Sequence, residues 1–594
     1  MSDHWNLKDI YPSYDSSDFK TDFESLKSTV EKMNALSSTL KSFADVAQII
    51  KMLEHFTTKS NRIMVYSMLV NATNTASPDA AKYMYLFQSM TAEVSRTKVR
   101  LSAFLAKAPQ KIETEAKANG LEAYVYKLSE MAAEYHHMLS EDEETIIAQV
   151  ETTGSSAWTK LHGKLVSTLT CEYADPKDGG KIRTITINDC RNLAYDASSE
   201  VRKAAYEAEL AAYPKIAESV AAAMNSIKGE VNLLSKLRKF DSPLHSTLFA
   251  NAMTQKTLDA MFEAIDDNIH HLRRYMKGKA QYLNKTQGKN YTALPFYEMF
   301  APVGNGSDEP FTYDEGKKFV LDNFAKFSPD MANLAQKAYD KDWIDVYPRD
   351  GKVGGAFCAN VYEVKQSRIL LNYGNSLSDA ITLAHELGHA YHNAQIMQEG
   401  ILNTKYPMPL AETASTFCEI IVNNAAIQTL PDEEKLQLVE NSLQDATQII
   451  LDIYSRFLFE KSVFETRKDH PLSVDELNTL MLEAQRTAYG DGLDHTLLHP
   501  YMWIIKGHYY NAARNYYNFP YAFGHLLANG LYNIYKQTPD TFEEKYNHFL
   551  RISGKMSIKD SCKMLGIDVE STAFWTSALD VIKTSIDEFE RLTQ

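Results

Sequence analysis

The sequence predicts a mostly helical protein. Long stretches such as DVAQIIKMLEHFTTKSNRIMVYSMLVNAT and EVRKAAYEAELAAYPKIAESVAAAMNSIKGEVNLLSKLRKF place apolar residues three and four positions apart, the spacing of one helix face. Only two regions break that pattern towards alternation. The chain of 594 residues, 44% hydrophobic and 23% charged, is long enough to bury a large core and has an ordinary globular composition.

Along the chain, the N-terminal part reads as packed antiparallel helices. KLVSTLTCEYADPKDGGKIRTITIND alternates apolar and polar residues on both sides of a Pro/Gly turn, which predicts a β-hairpin near 165–188. A boundary just after it gives an N-terminal helical lobe, 1–195, and a second domain, 196–594. PVGNGSDEPFT, 302–312, reads as a loop between helices. VYPRDGKVGGAFCANVYEVKQSRILLNYGNS, 346–376, has glycine pairs and short β-branched runs, as a small sheet would. Ser376-Leu-Ser-Asp379 then has capping-box spacing and predicts a helix over about 377–395, buried except for one polar stripe. No internal repeat or low-complexity segment stands out.

A net charge of −15 disfavours nucleic acid or an anionic membrane as partner. Five cysteines without CxxC spacing argue against a disulfide framework and against a cysteine-ligated zinc. The start, MSDHWNLKDIYPSYD, has no apolar signal core, and no apolar run is long enough for a bilayer. A cytoplasmic location is the expectation.

The chemistry concentrates in TLAHELGHAYHNAQ. His385 and His389 are four apart, so on a helix they share a face and can grip one zinc ion. Glu386 lies beside them, able to take a proton from a water at the metal without being a ligand. His392 is excluded by reach: seven residues separate it from His385, about 10.5 Å along a helix axis. It reads as a packing or supporting histidine. The pattern that would make position 395 a ligand also fails, since Gln395 stands there. The third ligand must come from another element, and PMPLAETASTFCEII supplies Glu412 and Glu419, seven apart on one face. One of these carboxylates completes a His₂Glu site and the other orients a ligand; spacing does not choose between them.

HELGHAYH followed by PLAETASTFCE resembles the thimet oligopeptidase and oligoendopeptidase F family of zinc metallopeptidases. YPRDGKVGGAFC, LLNYGNSLSDAITL and the opening WNLKDIYPSYDSSDF are similar to the same family, so the likeness runs along almost the whole chain. The resemblance implies one zinc per chain held by His385, His389 and Glu412, with Glu386 as general base and Glu419 as the supporting acid. It implies a two-lobed helical body with a deep channel and a small sheet beside the HExxH helix, hydrolysing short oligopeptides. In IKGHYYNAARNYYNFPYAFG it implies that His508 and a tyrosine stabilise the oxyanion, Tyr517 first, with Tyr510 and Tyr521 behind it as substrate contacts. Gly354, Gly355 and Ala356 would let an extended peptide pair with the small sheet.

Two rival readings stand beside the endopeptidase. A zinc exopeptidase needs a device that captures a free terminus, and no GAMEN-type motif is present. A catalytically silent peptide-binding protein is disfavoured by the intact His385, Glu386, His389 and Glu412.

Overall fold

The computed structural model describes residues 3–304 and 310–594, apart from the side chains of Ser89 and Glu141. Part of the loop expected at 302–312 therefore lies outside the described residues. Helix makes up 71% of the protein, and the strands form two small sheets. Among the described residues no helix is long and apolar enough to cross a membrane, and all five cysteines are free.

The chain divides into two compact units, each assembled from three segments. The first comprises Met1–Met138, Glu309–Ala425 and Ile534–Asp568. Its N-terminal layer packs helices Ser17–Ser38, Phe43–Thr73 and Pro78–Leu105 against one another. Local signals fix their starts: Ser42 and Asp45 form a capping box, and Ser77 caps a helix whose first residue is Pro78. Apolar stripes from all three meet in a core that includes Phe19, Ile49, Ile63 and Leu101.

That core continues onto a three-stranded sheet through Ala359, Val361 and Leu370. Strand Gln366–Leu370 is central, with Ile344–Asp345 parallel on one side and Phe357–Val361 antiparallel on the other. Phe357–Val361 is thus an edge strand. The loop leading into it is pinned by buried Asp345, which accepts from Arg349 Nη1 at 2.5 Å and pairs with Lys352 Nζ at 2.7 Å. Asn372 Nδ2 donates to the carbonyls of Val353 and Gly355, at 3.0 and 2.7 Å. Gly355 has φ +79°, a left-handed turn that glycine adopts without strain.

Helix Leu377–Ile396 packs against this sheet. Its capping box is formed: Asp379 N donates to Ser376 Oγ at 3.2 Å and Ser376 N to Asp379 Oδ2 at 2.9 Å. Helix Thr413–Thr429 follows after a proline-rich turn.

The second unit comprises Leu139–Asp308, Ala426–Asn533 and Val569–Gln594. It contains the hairpin, with strands Thr170–Asp175 and Lys181–Thr186. The hairpin starts later than the alternation suggested, because LVST completes helix Ser155–Thr168. Ion pairs buried here among the described residues include Arg202 with Glu298, Lys228 with Glu460 at 2.6 Å, and Lys279 with Glu440 at 2.5 Å. Pairs without solvent are costly to desolvate and far costlier to break on one side.

Candidate metal centre

The HExxH helix presents two imidazoles one turn apart, their rings 4.8 Å centre to centre and nearly perpendicular. Gly388, just before the second histidine and on a flank of the same helix, brings the next helix in. A Cβ there would lie 2.7 Å from both the Ala414 carbonyl oxygen and Ser415 Cα. That close approach delivers Glu412, just ahead of helix Thr413–Thr429, to the histidines. Its Oε2 lies 3.4 Å from His385 Nε2 and 3.3 Å from His389 Nε2. Ser415 Oγ donates to the same carboxylate oxygen at 2.9 Å.

Two nitrogens and one carboxylate oxygen, all within 4.8 Å of one another, are a His₂Glu donor set. In a tetrahedral zinc site with bonds of about 2.0–2.1 Å, ligand atoms stand about 3.3–3.4 Å apart. The residues therefore fit a zinc ion. Glu419 Oε1 accepts from His385 Nδ1 at 2.6 Å, which leaves Nε2 of that ring as the one facing Glu412. The two acids that spacing could not tell apart thus occupy different places: Glu412 meets both rings, Glu419 only the back of one.

Electrostatics follow the same geometry. Burial works against the Glu412 carboxylate, but its hydrogen bonds and opposite charges from His385 and His389 hold it well below the usual carboxylate range. Burial also opposes charge on His385, and the bonds to Glu412 and Glu419 outweigh it, raising its pKa to about 10. Glu386, unlike Glu412, is shifted up: burial raises its pKa, only partly offset by the two histidines. Its Oε2 is buried without a hydrogen-bond partner. An acid with an unspent acceptor beside a metal-ready cluster is poised to move a proton.

His385, Glu386, His389 and Glu412 open onto a cavity of about 630 Å³. Ala356 and the edge strand's Phe357, Cys358, Ala359 and Asn360 line it, while Gly354 and Gly355 form the turn just before. Val65 and Met68 from helix Phe43–Thr73 and Thr404, Lys405 and Tyr406 from the turn before Glu412 also line it. Sequence reasoning missed these. Val65 and Met68 carry no motif, and Tyr406 sits in a proline-flanked turn whose only signal is its nearness to Glu412. His392 is fully buried and stacked on Tyr406, and is not one of the donor set.

The C-terminal cluster belongs to the second unit. His508 lies in a short turn, Gly507–Tyr510, and its Nε2 is buried with no partner. Burial, then the charges of Arg456, Lys506 and Lys228, pushes its pKa down to about 2, so the ring is neutral. Tyr510 is fully buried, its hydroxyl donating to the Trp503 carbonyl at 3.0 Å and its ring stacked on His162. Tyr517 and Tyr521 are half-buried, with their hydroxyls 3.1 Å apart.

A mostly helical fold with a His₂Glu donor set and a buried acid on the same helix defines a metallopeptidase. Residues 192–581 match Peptidase family M3 and residues 104–170 match Oligopeptidase F. The chain belongs to peptidase family M3, and the protein is a metalloendopeptidase. It is 23% identical to Oligopeptidase PepF of Bacillus subtilis, over 99% of this chain and 87% of the relative. It is 27% identical to the chromosomal oligoendopeptidase F of Lactococcus lactis subsp. cremoris, over 70% and 68%. Among solved structures, a Chlamydophila abortus chain described as a peptidase superposes with TM-score 0.84 at 20% identity, covering 100% of this chain and 99% of that one. Oligoendopeptidase-F from Enterococcus faecium follows the same fold, with TM-score 0.69, 19% identity and coverage of 97% and 99%.

Proposed function

We propose that the protein is a cytoplasmic, zinc-dependent endopeptidase that hydrolyses short oligopeptides. The observation that carries this reading is the convergence of His385 Nε2, His389 Nε2 and Glu412 Oε2 beside the unpartnered, buried oxygen of Glu386. The oligopeptidase names of its relatives support the substrate class.

His385, His389 and Glu412 would hold one zinc ion, whose chemistry is to polarise the scissile carbonyl and make water a stronger acid. Glu419 keeps His385 in the tautomer that points Nε2 inward. Glu386 takes the proton of the attacking water and returns it to the leaving amine; its raised pKa suits both halves of that task. The edge strand Phe357–Val361, paired with a neighbouring strand on one side only and with its Asn360 carbonyl already accepting from Asn61 Nδ2 at 3.4 Å, offers its other edge to an extended peptide, with the turn at Gly354 and Gly355 allowing close approach. His508 and Tyr517 are the proposed oxyanion donors, resting on the family resemblance. Tyr521 ranks behind Tyr517 as a substrate contact, and Tyr510, its hydroxyl committed to Trp503, behind both. The family match from residue 192 supports reading 196–594 as the peptidase domain and 1–195 as an N-terminal lobe, a division along the sequence distinct from the compact units.

Metal analysis combined with Glu386→Gln tests the reading. About one zinc per chain is expected in both proteins, with turnover of the variant reduced at least about 10²-fold. A variant that cleaves normally sinks the mechanism. Cleavage of a peptide blocked at both ends separates this reading from an exopeptidase.

A further inference from the structure

We propose that Tyr406 is a further catalytic residue of this site, donating a hydrogen bond from its hydroxyl to the oxygen of the carbonyl under attack, with His392 as the positioning residue that holds its ring. The inference rests on the peptidase reading above, and adds a donor within the same compact unit as the metal-ready cluster.

Tyr406 lines the same cavity as His385, Glu386, His389 and Glu412. Its ring lies flat on that of His392, 4.1 Å between centroids and 15° between planes. His392 is itself fixed. It is fully buried, and its Nε2 lies 2.9 Å from Ser553 Oγ. The Ser553 hydroxyl already donates its single hydrogen to the Leu550 carbonyl, at 2.9 Å. It can therefore only accept from His392, which must carry its proton on Nε2. Nδ1 is left buried and without a partner. His392 thus spends its one N–H on holding its own ring, and the ring serves as a rigid platform for Tyr406.

The hydroxyls lining the cavity differ in what they can offer. Thr404 Oγ1 donates to the Ile401 carbonyl at 2.8 Å, so its hydrogen is committed. The Tyr406 hydroxyl has no hydrogen-bond partner among the described residues, while its ring is held against His392. A phenol is protonated at neutral pH and has its hydrogen free to donate to a ligand that enters the cavity. The group in this chemistry with most need of a donor is the carbonyl oxygen as it becomes an anion. A preset donor that meets it stabilises the transition state more than the ground state.

Tyr406→Phe keeps the ring and its stack and removes only the hydroxyl. With a blocked oligopeptide, kcat should fall about 10²–10³-fold, the range for loss of one oxyanion donor, while zinc content stays at wild-type level. Affinity for a phosphinate peptide, a tetrahedral anionic mimic read by calorimetry, should fall by a similar factor. Affinity for the intact peptide, measured with Glu386→Gln and with Glu386→Gln/Tyr406→Phe, should agree within about twofold. His392→Ala should lower kcat as Tyr406→Phe does, and the double variant should be no worse than Tyr406→Phe alone. His392→Phe, which keeps a flat platform, should restore much of the rate. Wild-type phosphinate affinity in Tyr406→Phe overturns the proposal. Normal turnover by Glu386→Gln alone would instead overturn the peptidase mechanism.

Discussion

Gly388 and Ser415 touch backbone to backbone: a Cβ on the first would sit 2.7 Å from Cα of the second. The contact sets the distance between the helix that carries both histidines and the helix that brings the carboxylates. Gly388→Ala should force the two apart. Overpacking of this kind costs about 1–3 kcal/mol, and the damage falls on the donor set. The variant should lose zinc to a competing chelator at concentrations that leave the wild type loaded, and should melt earlier. Unchanged zinc retention would show that the helices adjust without moving Glu412.

Among the described residues the Glu419 carboxylate hydrogen-bonds only His385. Glu419→Ala removes the acceptor from His385 Nδ1 and should weaken zinc binding about 10–100-fold, measured by chelator competition. Glu419→Gln retains an acceptor but not the charge, and should fall between the two.

His508 makes acid costly. Its folded pKa of about 2 lies below the ordinary value of about 6.5, so the unfolded chain takes up a proton that the folded protein refuses. The stability tied to the neutral ring is fully present above pH 6.5 and is lost as pH falls from there towards 2. The loss can reach about 1.4 kcal/mol per pH unit for one proton. His508→Asn, which does not titrate, should lose less stability than wild type between pH 7 and 5 in denaturant unfolding. An identical pH slope in the two proteins would contradict this.

Lys228 and Glu460 are paired out of water, and Glu460 Oε2 also accepts from the Tyr516 amide at 3.1 Å. Lys228→Met strands the carboxylate and should cost about 3–5 kcal/mol. Lys228→Met/Glu460→Gln leaves a neutral acceptor for Tyr516 and should recover most of the loss, read as melting temperature.

Tyr510 and Tyr517 should respond oppositely to loss of a hydroxyl. Tyr510→Phe breaks a buried bond to Trp503 and should lower stability by about 1 kcal/mol with little change in turnover. Tyr517→Phe should lower kcat about 10²-fold or more if it is an oxyanion donor, with stability nearly intact. Steady-state kinetics and melting curves on both variants check the pair.

What the sequence made readable was local. The capping box at Ser376 and the pairing of His385 with His389 lie within one helix turn each, so spacing alone specifies them. Glu412 against Glu419 was beyond spacing, because their places depend on how a second helix docks at Gly388. Val65 and Met68 were invisible for the same reason: an ordinary apolar stripe gives no sign that its end lines a cavity. The late start of the hairpin was a local competition, won by helix Ser155–Thr168 over residues that alternate equally well.

Glu412 immediately precedes helix Thr413–Thr429 and Glu419 lies within it, one facing both imidazoles and the other the rear of one. The two carboxylates therefore travel on a common rod. A slide of that rod along the HExxH helix would shift both carboxylates against the histidines at once, so the two contacts are mechanically linked.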